Sequence, residues 1–228
     1  MSLTPTAPTM TEPRSAPAKV AVAAAILFAA SLFLTVASVN VPHEATDREL
    51  LDWWQQTGNR TSGVVSGLFA VCAAAMFAVF MSQVHELEAT RRSPTLRSLA
   101  RAMAGAFIAT MLVVAATRSA IGHLVDVMNE PLPSVDVLRY ATALNYQVFG
   151  LAAMGALSLT ILATSALALR TSAFSRWAGA VGIACGGVML IAVGAGYGGY
   201  TVPLAMLWSV TMGIAVRPQS SSRTTHSL

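Results

Sequence analysis

Charged residues are scarce in this sequence. Of its 228 residues, 11% are charged and 55% are hydrophobic, whereas roughly a quarter of a typical soluble domain is charged. This composition cannot give a water-soluble surface, and it predicts an integral membrane protein. The formal net charge is +4, but the 14 Arg and Lys residues are spread between apolar runs and form no basic face that could neutralise phosphates. We therefore expect no nucleic-acid partner.

Cysteines and catalytic motifs are also scarce. Cys72 and Cys185 are the only cysteines, which excludes a disulfide framework and a CxxC redox or zinc motif. Both lie in apolar runs and are interpreted as small buried side chains, although they could meet if their helices adjoin. The sequence has no nucleotide-binding, serine-hydrolase or zinc-peptidase motif. We predict no cofactor, and this absence favours a protein that is not an enzyme.

Six apolar runs are long enough to cross a bilayer, whose core needs about 20 helical residues. The sequence therefore predicts an all-α fold, a polytopic transmembrane bundle of six helices. The predicted spans are residues 20–39, 62–84, 99–118, 146–169, 177–196 and 197–216. Residues 1–18 and 217–228 are predicted to be disordered cytoplasmic tails. The first run is longer than the apolar core of a signal peptide, so we expect it to be retained.

The distribution of Arg and Lys predicts the orientation. Most of these residues lie in the two tails, in the loop after the second span and in the loop after the fourth. Short loops rich in Arg stay in the cytoplasm, so both termini are predicted to be cytoplasmic. Most acidic residues lie in the opposite loops. Among them, residues 47–58 predict a short external amphipathic helix, with Trp53 and Trp54 at the level of the lipid headgroups.

Glycine spacing predicts how the helices pack. Small residues four positions apart allow close contact between helices in a membrane. Such pairs are Gly63 and Gly67, Gly182 and Gly186, and Gly194 and Gly198. We interpret them as marks of a compact bundle. The last two spans are nearly contiguous, so the chain must reverse within residues 194–199, with Pro203 in the first turn of the final helix.

Polar residues that could form a site cluster at the external ends of the spans. The middle of each predicted span lacks Asp and Glu, which disfavours proton-coupled transport. The candidate ligand-binding residues are Arg118, His123, Asp126 and Asn145. Arg118 lies at the outer edge of the third span, where its side chain either extends to the interface or pairs with an acid of the external loops.

A metal site is an alternative at the same end. Ser119, His123, Asp126 and Glu130 share one helical face by their three-and-four spacing. With His43, Glu44 and Asp47 they could form an external metal site. A transition metal needs three or four converging ligands, and the pattern is also that of a solvated helix extension. We therefore predict no metal.

Two segments resemble a known family. One is Glu49-Leu-Leu-Asp-Trp-Trp followed by Asn59-Arg60, and the other is Leu169-Arg170-Thr171 followed by Arg176-Trp177-Ala-Gly179. They resemble an uncharacterised family of six-transmembrane membrane proteins from high-GC bacteria, over roughly residues 20–216. Ser175 stands where that family often has proline. The resemblance implies a multi-pass protein of the bacterial inner membrane and implies no activity.

Two hypotheses about function follow. The first is a non-enzymatic module that binds a lipid or small ligand, or an accessory subunit with a membrane-protein partner or a second copy of itself. The second is a membrane-embedded enzyme or carrier with an outward-facing polar site around Arg118 and His123. The first is favoured, because polar groups at helix ends usually have an interfacial explanation. The lipid bilayer is the expected partner in both.

Overall fold

Eight α-helices make up most of the chain in the computed structural model, which describes residues 16–39, 41, 45–88, 93–170 and 175–215. They are α1 (Ala16–Ala37), α2 (Asp47–Gln55), α3 (Thr57–Glu88), α4 (Pro94–Gly122), α5 (Val135–Gln147), α6 (Met154–Arg170), α7 (Arg176–Gly194) and α8 (Val202–Ala215). π-Helical segments follow α4 (His123–Val127) and join α5 to α6 (Val148–Ala153), and a 3-10 turn (Gly198–Thr201) precedes α8. The predicted all-helical architecture is confirmed for the described residues.

Five helical segments are long and apolar enough to cross a membrane. They are Lys19–Ala37, Thr57–His85, Pro94–Val127, Val135–Arg170 and Arg176–Gly194. These segments define a multi-pass membrane protein. The helix α8 has 14 described residues, fewer than the roughly 20 that a bilayer core needs. The sixth crossing and the orientation of the chain stay predictions.

Six of the helices form a closed ring. The helix α1 packs against α3, α3 against α4, α4 against α6, α6 against α7, α7 against α8, and α8 returns to α1. The remaining two, α2 and α5, pack against each other at one end of this ring. We call it the α2 end of the bundle. It holds the C-termini of α1, α4 and α7 and the start of α3.

Aromatic side chains fill the inside of the ring. Phe28 of α1, Phe77 of α3 and Phe107 of α4 are all fully buried. Their ring centroids lie 4.9 Å apart for Phe28 and Phe77, 4.7 Å for Phe77 and Phe107, and 6.0 Å for Phe28 and Phe107. A further pair, Phe80 and Trp208, joins α3 to α8 with centroids 5.7 Å apart. The first helix is therefore part of the core.

The short helix α2 forms because its first turn is capped. The Thr46 hydroxyl accepts a hydrogen bond from the Glu49 N–H, and the Glu49 carboxylate accepts one from the Thr46 N–H at 2.8 Å. The hydrogen bond from the Thr46 backbone holds the pKa of the Glu49 carboxyl below its usual value. Leu50 and Trp54 are buried against Leu138 of α5. The predicted helix at this position is confirmed, and its place at a membrane surface stays a prediction.

The chain reverses after α7 at a glycine turn, as the sequence predicts. Gly196 has φ 86°, a left-handed conformation that favours glycine. A Cβ at Gly198 would collide with the carbonyl oxygen of Gly150, so the turn lies directly against the π-helical segment between α5 and α6. Pro203 is the second residue of α8, where its missing N–H costs no helical hydrogen bond.

Glycines also set the distance between α3 and α4. A Cβ added to Gly63 would lie 2.9 Å from the carbonyl oxygen of Arg118, and a Cβ added to Gly67 would lie 2.9 Å from that of Ala115. In α7, a Cβ at Gly186 would lie 2.8 Å from Leu162 Cγ of α6. Close packing is therefore confirmed for the pairs Gly63–Gly67 and Gly182–Gly186, whereas a Cβ at Gly194 would have nothing within 4 Å.

Gly67→Ala is expected to lower the free energy of unfolding by about 1 to 2 kcal/mol, because the new methyl group meets backbone that cannot move aside. The matched control is Gly105→Ala in α4, where a Cβ has nothing within 4 Å. Thermal unfolding of both variants in one detergent is the measurement. Equal stability of the two variants would contradict the close contact between α3 and α4.

Candidate ligand-binding cavity at the α2 end

A cavity of about 760 Å³ lies inside the α2 end of the bundle. Its wall is formed by the last turn of α1, by α2, by the ends of α3 and α4, by the α5 and π-helical stretch, and by the turn between α7 and α8. Most of the lining is apolar, as shown by Val36, Trp53, Ile121, Phe149 and Val193. Among the described residues that line it there is no Asp, Glu, His, Lys or Cys, and Arg118 carries the charge.

Arg118 is held by neutral partners from three other helical elements. It lies on the buried face of α4 and is 9% exposed. Its Nη1 donates hydrogen bonds to the carbonyl oxygen of Thr35 in α1 and to the hydroxyl of Ser66 in α3. Its Nε donates to Asn145 Oδ1 at 3.0 Å, and the Phe149 ring lies 5.4 Å from its Cζ. Neither sequence interpretation of Arg118 is correct, because the side chain neither extends to the interface nor pairs with an acid.

The unpaired carbonyl groups at the C-terminus of α1 explain why the Arg118 side chain points into the bundle. The last four carbonyl groups of a helix have no partner within the helix, and Thr35 is among these four in α1. The C-terminus of a helix also carries partial negative charge, which favours a cation. The hydroxyl of Ser66 donates a second hydrogen bond to the same Thr35 oxygen at 2.5 Å. Arg118 therefore caps α1 from the neighbouring helix.

One nitrogen of the Arg118 guanidinium, Nη2, has no hydrogen-bond acceptor among the described residues. A guanidinium has five N–H donors, and the bonds described above use those of Nε and Nη1. Within the part of the chain that the structure describes, Nη2 donates to no acceptor. Since Arg118 lines the cavity, its two Nη2 N–H groups are available to a molecule inside it.

Asn145 positions this arginine. Its amide Nδ2 donates to Thr117 Oγ1 at 2.8 Å and to the Val114 carbonyl oxygen at 3.4 Å. These two bonds to α4 hold the amide so that Oδ1 faces Arg118 Nε. Asn145 lies near the end of α5, just before the π-helical segment. The structure thus brings together two of the four residues that the sequence proposes, and their role in binding stays a prediction.

Asp126 is engaged elsewhere. Its carboxylate accepts hydrogen bonds from Arg60 Nε at 2.9 Å and from Arg60 Nη2 at 2.6 Å. Arg60 also donates from Nη1 to the carbonyl oxygens of Trp54 and Gln55 at 2.7 and 2.8 Å, so it caps the C-terminus of α2. Asp126 does not line the cavity. Its role is to tie α2 and the start of α3 to the end of α4.

His123 also lies outside the cavity. It is exposed and begins the π-helical segment after α4. A π-turn adds a residue to the helical repeat, so the three-and-four spacing expected to align Ser119, His123, Asp126 and Glu130 does not hold. A site built on Arg118 and His123 together is therefore not present at the cavity.

The described members of the alternative metal site do not converge. Asp126 is bound to Arg60, and Asp47 pairs with Arg139 at 2.5 Å. His43 and Glu44 lie outside the described residues. Among the residues that are described, no group of three His, Cys, Asp or Glu side chains is placed to hold a metal ion.

The two cysteines have different surroundings. Both are free thiols; Cys185 is buried in α7, whereas Cys72 is exposed on α3. The interpretation as a small buried side chain therefore holds for Cys185 and is wrong for Cys72.

Sequence reasoning missed Arg60, Thr35, Ser66 and Phe149. For Arg60 a signal existed: it lies three residues before Gly63, which lies four before Gly67, so all three share the face of α3 that meets α4. An arginine on a glycine-lined face is directed toward the neighbouring helix. The role of the Thr35 carbonyl group could not be predicted in this way, because every residue has a backbone acceptor and the sequence does not show which one is used.

Fold and cavity together define a multi-pass membrane protein with an apolar chamber at one end and one arginine in its wall. No protein-family model matches the chain, and no curated protein or solved structure is significantly similar to it. The resemblance to a bacterial six-helix family stays an expectation.

Proposed function

We propose that this protein is a non-enzymatic module of the bacterial inner membrane that binds a small, largely apolar molecule, such as a lipid, in the cavity at the α2 end. The size of that cavity, about 760 Å³, is the main support, because ligand sites typically enclose about 300 to 1,000 Å³. Its apolar wall with few convergent polar groups is also typical of such sites.

The lining favours binding over catalysis. Proton transfer needs a titratable side chain within hydrogen-bond reach of the substrate, and the described lining offers no carboxylate, imidazole, amine or thiol. Of its two phenols, the Tyr146 hydroxyl donates to the Val41 carbonyl oxygen at 3.0 Å, and Tyr200 is 76% exposed. Its threonine hydroxyls are already engaged: Thr142 donates to the Leu138 carbonyl oxygen at 2.8 Å, and Thr117 donates to that of Val113 at 2.9 Å. An enzyme or carrier built on Arg118 and His123 has less support, because His123 lies outside the cavity.

The proposed orientation places the cavity at the outer leaflet. Arg and Lys are concentrated in the tails and in the loops at the end opposite α2, which the positive-inside rule assigns to the cytoplasm. With α8 as a sixth crossing, both termini lie in the cytoplasm. The α2 end then faces outward, and a ligand reaches it from the outer leaflet or from outside the cell.

Gly194→Phe is expected to lower the amount of bound ligand at least roughly tenfold, a loss of about 1.4 kcal/mol in binding. Gly194 lines the cavity, and a Cβ placed there has nothing within 4 Å. The new Cβ therefore meets no clash, and we expect the ring to take up part of the cavity. The measurement is native mass spectrometry of protein extracted gently from its own membrane, which counts the lipids and other molecules that stay bound.

Gly187→Phe is the matched control for this substitution. Gly187 also lies in α7 and its Cβ also has nothing within 4 Å, but it does not line the cavity. This variant should keep the ligand of the original protein. Equal ligand in both variants, or none in the unmodified protein, would show that the cavity is not a binding site.

A further inference from the structure

We propose that the cavity selects an amphiphile with an anionic head, such as a fatty acid, and that Arg118 Nη2 binds the head. This inference rests on the proposed binding function and names its ligand class. Arg118 is 9% exposed, and its hydrogen-bond partners within the described part of the chain are all neutral. A buried cation without a counter-ion is unfavourable. A bound carboxylate would supply the missing charge and the missing acceptor together.

Among the described residues of the α2 end, no acidic side chain takes this place. At the α2 end, the described carboxylates of Asp47, Glu49 and Asp126 are bonded to Arg139, Thr46 and Arg60. The others that are described there, Asp52, Glu130 and Asp136, are exposed and do not line the cavity. The α1 terminus contributes only partial negative charge.

The apolar wall in the remainder of the cavity favours a ligand with an apolar tail. Around the guanidinium the wall is formed by side chains such as Phe149, Ile121 and Val36. The Phe149 ring lies over the guanidinium with 5.4 Å between its centroid and Cζ, which shields one face of the charge from solvent. A small free anion would leave this apolar volume empty, whereas a fatty acid fills it and burial of its chain adds to binding.

Two cavity residues are exposed beside the ends of α1 and α8. A Cβ at Gly213 would lie 3.0 Å from Ala25 Cβ of α1. From this contact, α8 begins at Val202, roughly 16 Å nearer the α2 end, and α1 ends at Ala37, roughly 18 Å nearer it. The two helices therefore reach nearly the same level. Here the cavity residues Val36 and Tyr200 are exposed, at 37% and 76%, which points to a membrane source for the ligand.

The test compares ligands that share a chain and differ in the head. A long-chain fatty acid, its primary alcohol and its alkyl ammonium salt are titrated into the full-length protein in neutral detergent, with acetate as a head without a chain. The fatty acid should bind roughly 10- to 100-fold more tightly than the alcohol, as expected for a charge-assisted hydrogen bond. The ammonium salt and acetate should bind more weakly still.

Each other outcome has a separate meaning. Equal binding of acid and alcohol would overturn this inference and leave the proposed binding function intact. Acetate binding as tight as that of the fatty acid would identify a site for a free small anion, which also overturns it. No binding of any of these molecules or of the native lipids would overturn both proposals.

Substitutions test whether the head group of the ligand binds to Arg118. Arg118→Gln should remove the preference for the acid over the alcohol. The control is Arg139→Gln, which removes an exposed cation paired with Asp47 at the same end and should keep the preference. Equal loss in both variants would indicate general surface attraction and overturn the inference. If Arg118→Gln fails to fold because Thr35 loses its cap, the comparison of acid and alcohol on the unmodified protein still decides.

Discussion

Asp126→Asn is expected to lower the free energy of unfolding clearly more than the loss of an exposed ion pair does. The substitution leaves the Arg60 guanidinium, whose side chain is 9% exposed, without its carboxylate partner. Because Asp126 is itself 32% exposed, water compensates part of this loss. Arg60 also caps α2, so the same change should increase amide hydrogen exchange throughout α2. The measurements are thermal unfolding in a fixed detergent and exchange mass spectrometry.

The exposed ion pair of the same end is the control. Asp47→Asn breaks the pair with Arg139, whose side chains are 68% and 46% exposed, and should cost less than about 1 kcal/mol. A double variant, Arg60→Met with Asp126→Leu, should recover part of the stability, because no buried charge is left alone. The recovery is incomplete, because the carbonyl groups of Trp54 and Gln55 lose their donor. If Asp126→Asn and Asp47→Asn lower the free energy of unfolding equally, the ion pair of Arg60 does not hold α2 in place.

Phe28→Ala is expected to cost about 2 to 3 kcal/mol. Phe28 is fully buried and its ring contacts those of Phe77 and Phe107, so the substitution opens a void between three helices. In a soluble protein the cost of such a change reaches about 3 to 5 kcal/mol. It is smaller here, because lipid is as apolar as the core and the loss is mainly one of packing contacts.

Phe33→Ala provides the comparison within the same helix. Phe33 is 52% exposed on the outside of α1, so its removal should change the free energy of unfolding by less than about 0.5 kcal/mol. Unfolding in sodium dodecyl sulfate measures both variants. A similar loss in each would mean that α1 does not pack into the bundle through its phenylalanines.

The membrane-protein class and the helices could be predicted from the sequence because they follow from hydrophobicity and length. A long apolar run must satisfy its backbone polar groups internally, and a helix does so. The turn before α8 was also predictable, since glycines at 194, 196, 198 and 199 beside Pro203 leave few alternatives. Capping of α2 by Thr46 and Glu49 is a local pattern of the same kind.

The site was only half predictable. Arg60 and Arg118 both look like ordinary charges at the end of an apolar run, yet one pairs with Asp126 and the other binds the backbone of α1. Their difference depends on which helix ends lie together, and that is a property of the tertiary structure. The π-helical segments have the same origin, because a single added residue leaves the hydrophobic pattern almost unchanged and still shifts the residues after His123 out of the expected alignment.

The closed ring has a consequence for biosynthesis. Helix α1 is made before the other described helices and α8 after them, yet the two are neighbours, with Gly213 against Ala25. During translation, the flank of α1 that receives α8 must wait in contact with lipid or with the insertion machinery until α8 has been made. The bundle thus closes in a single late step, and a ribosome that stops early releases an open, incomplete bundle that quality-control proteases can distinguish from the finished one.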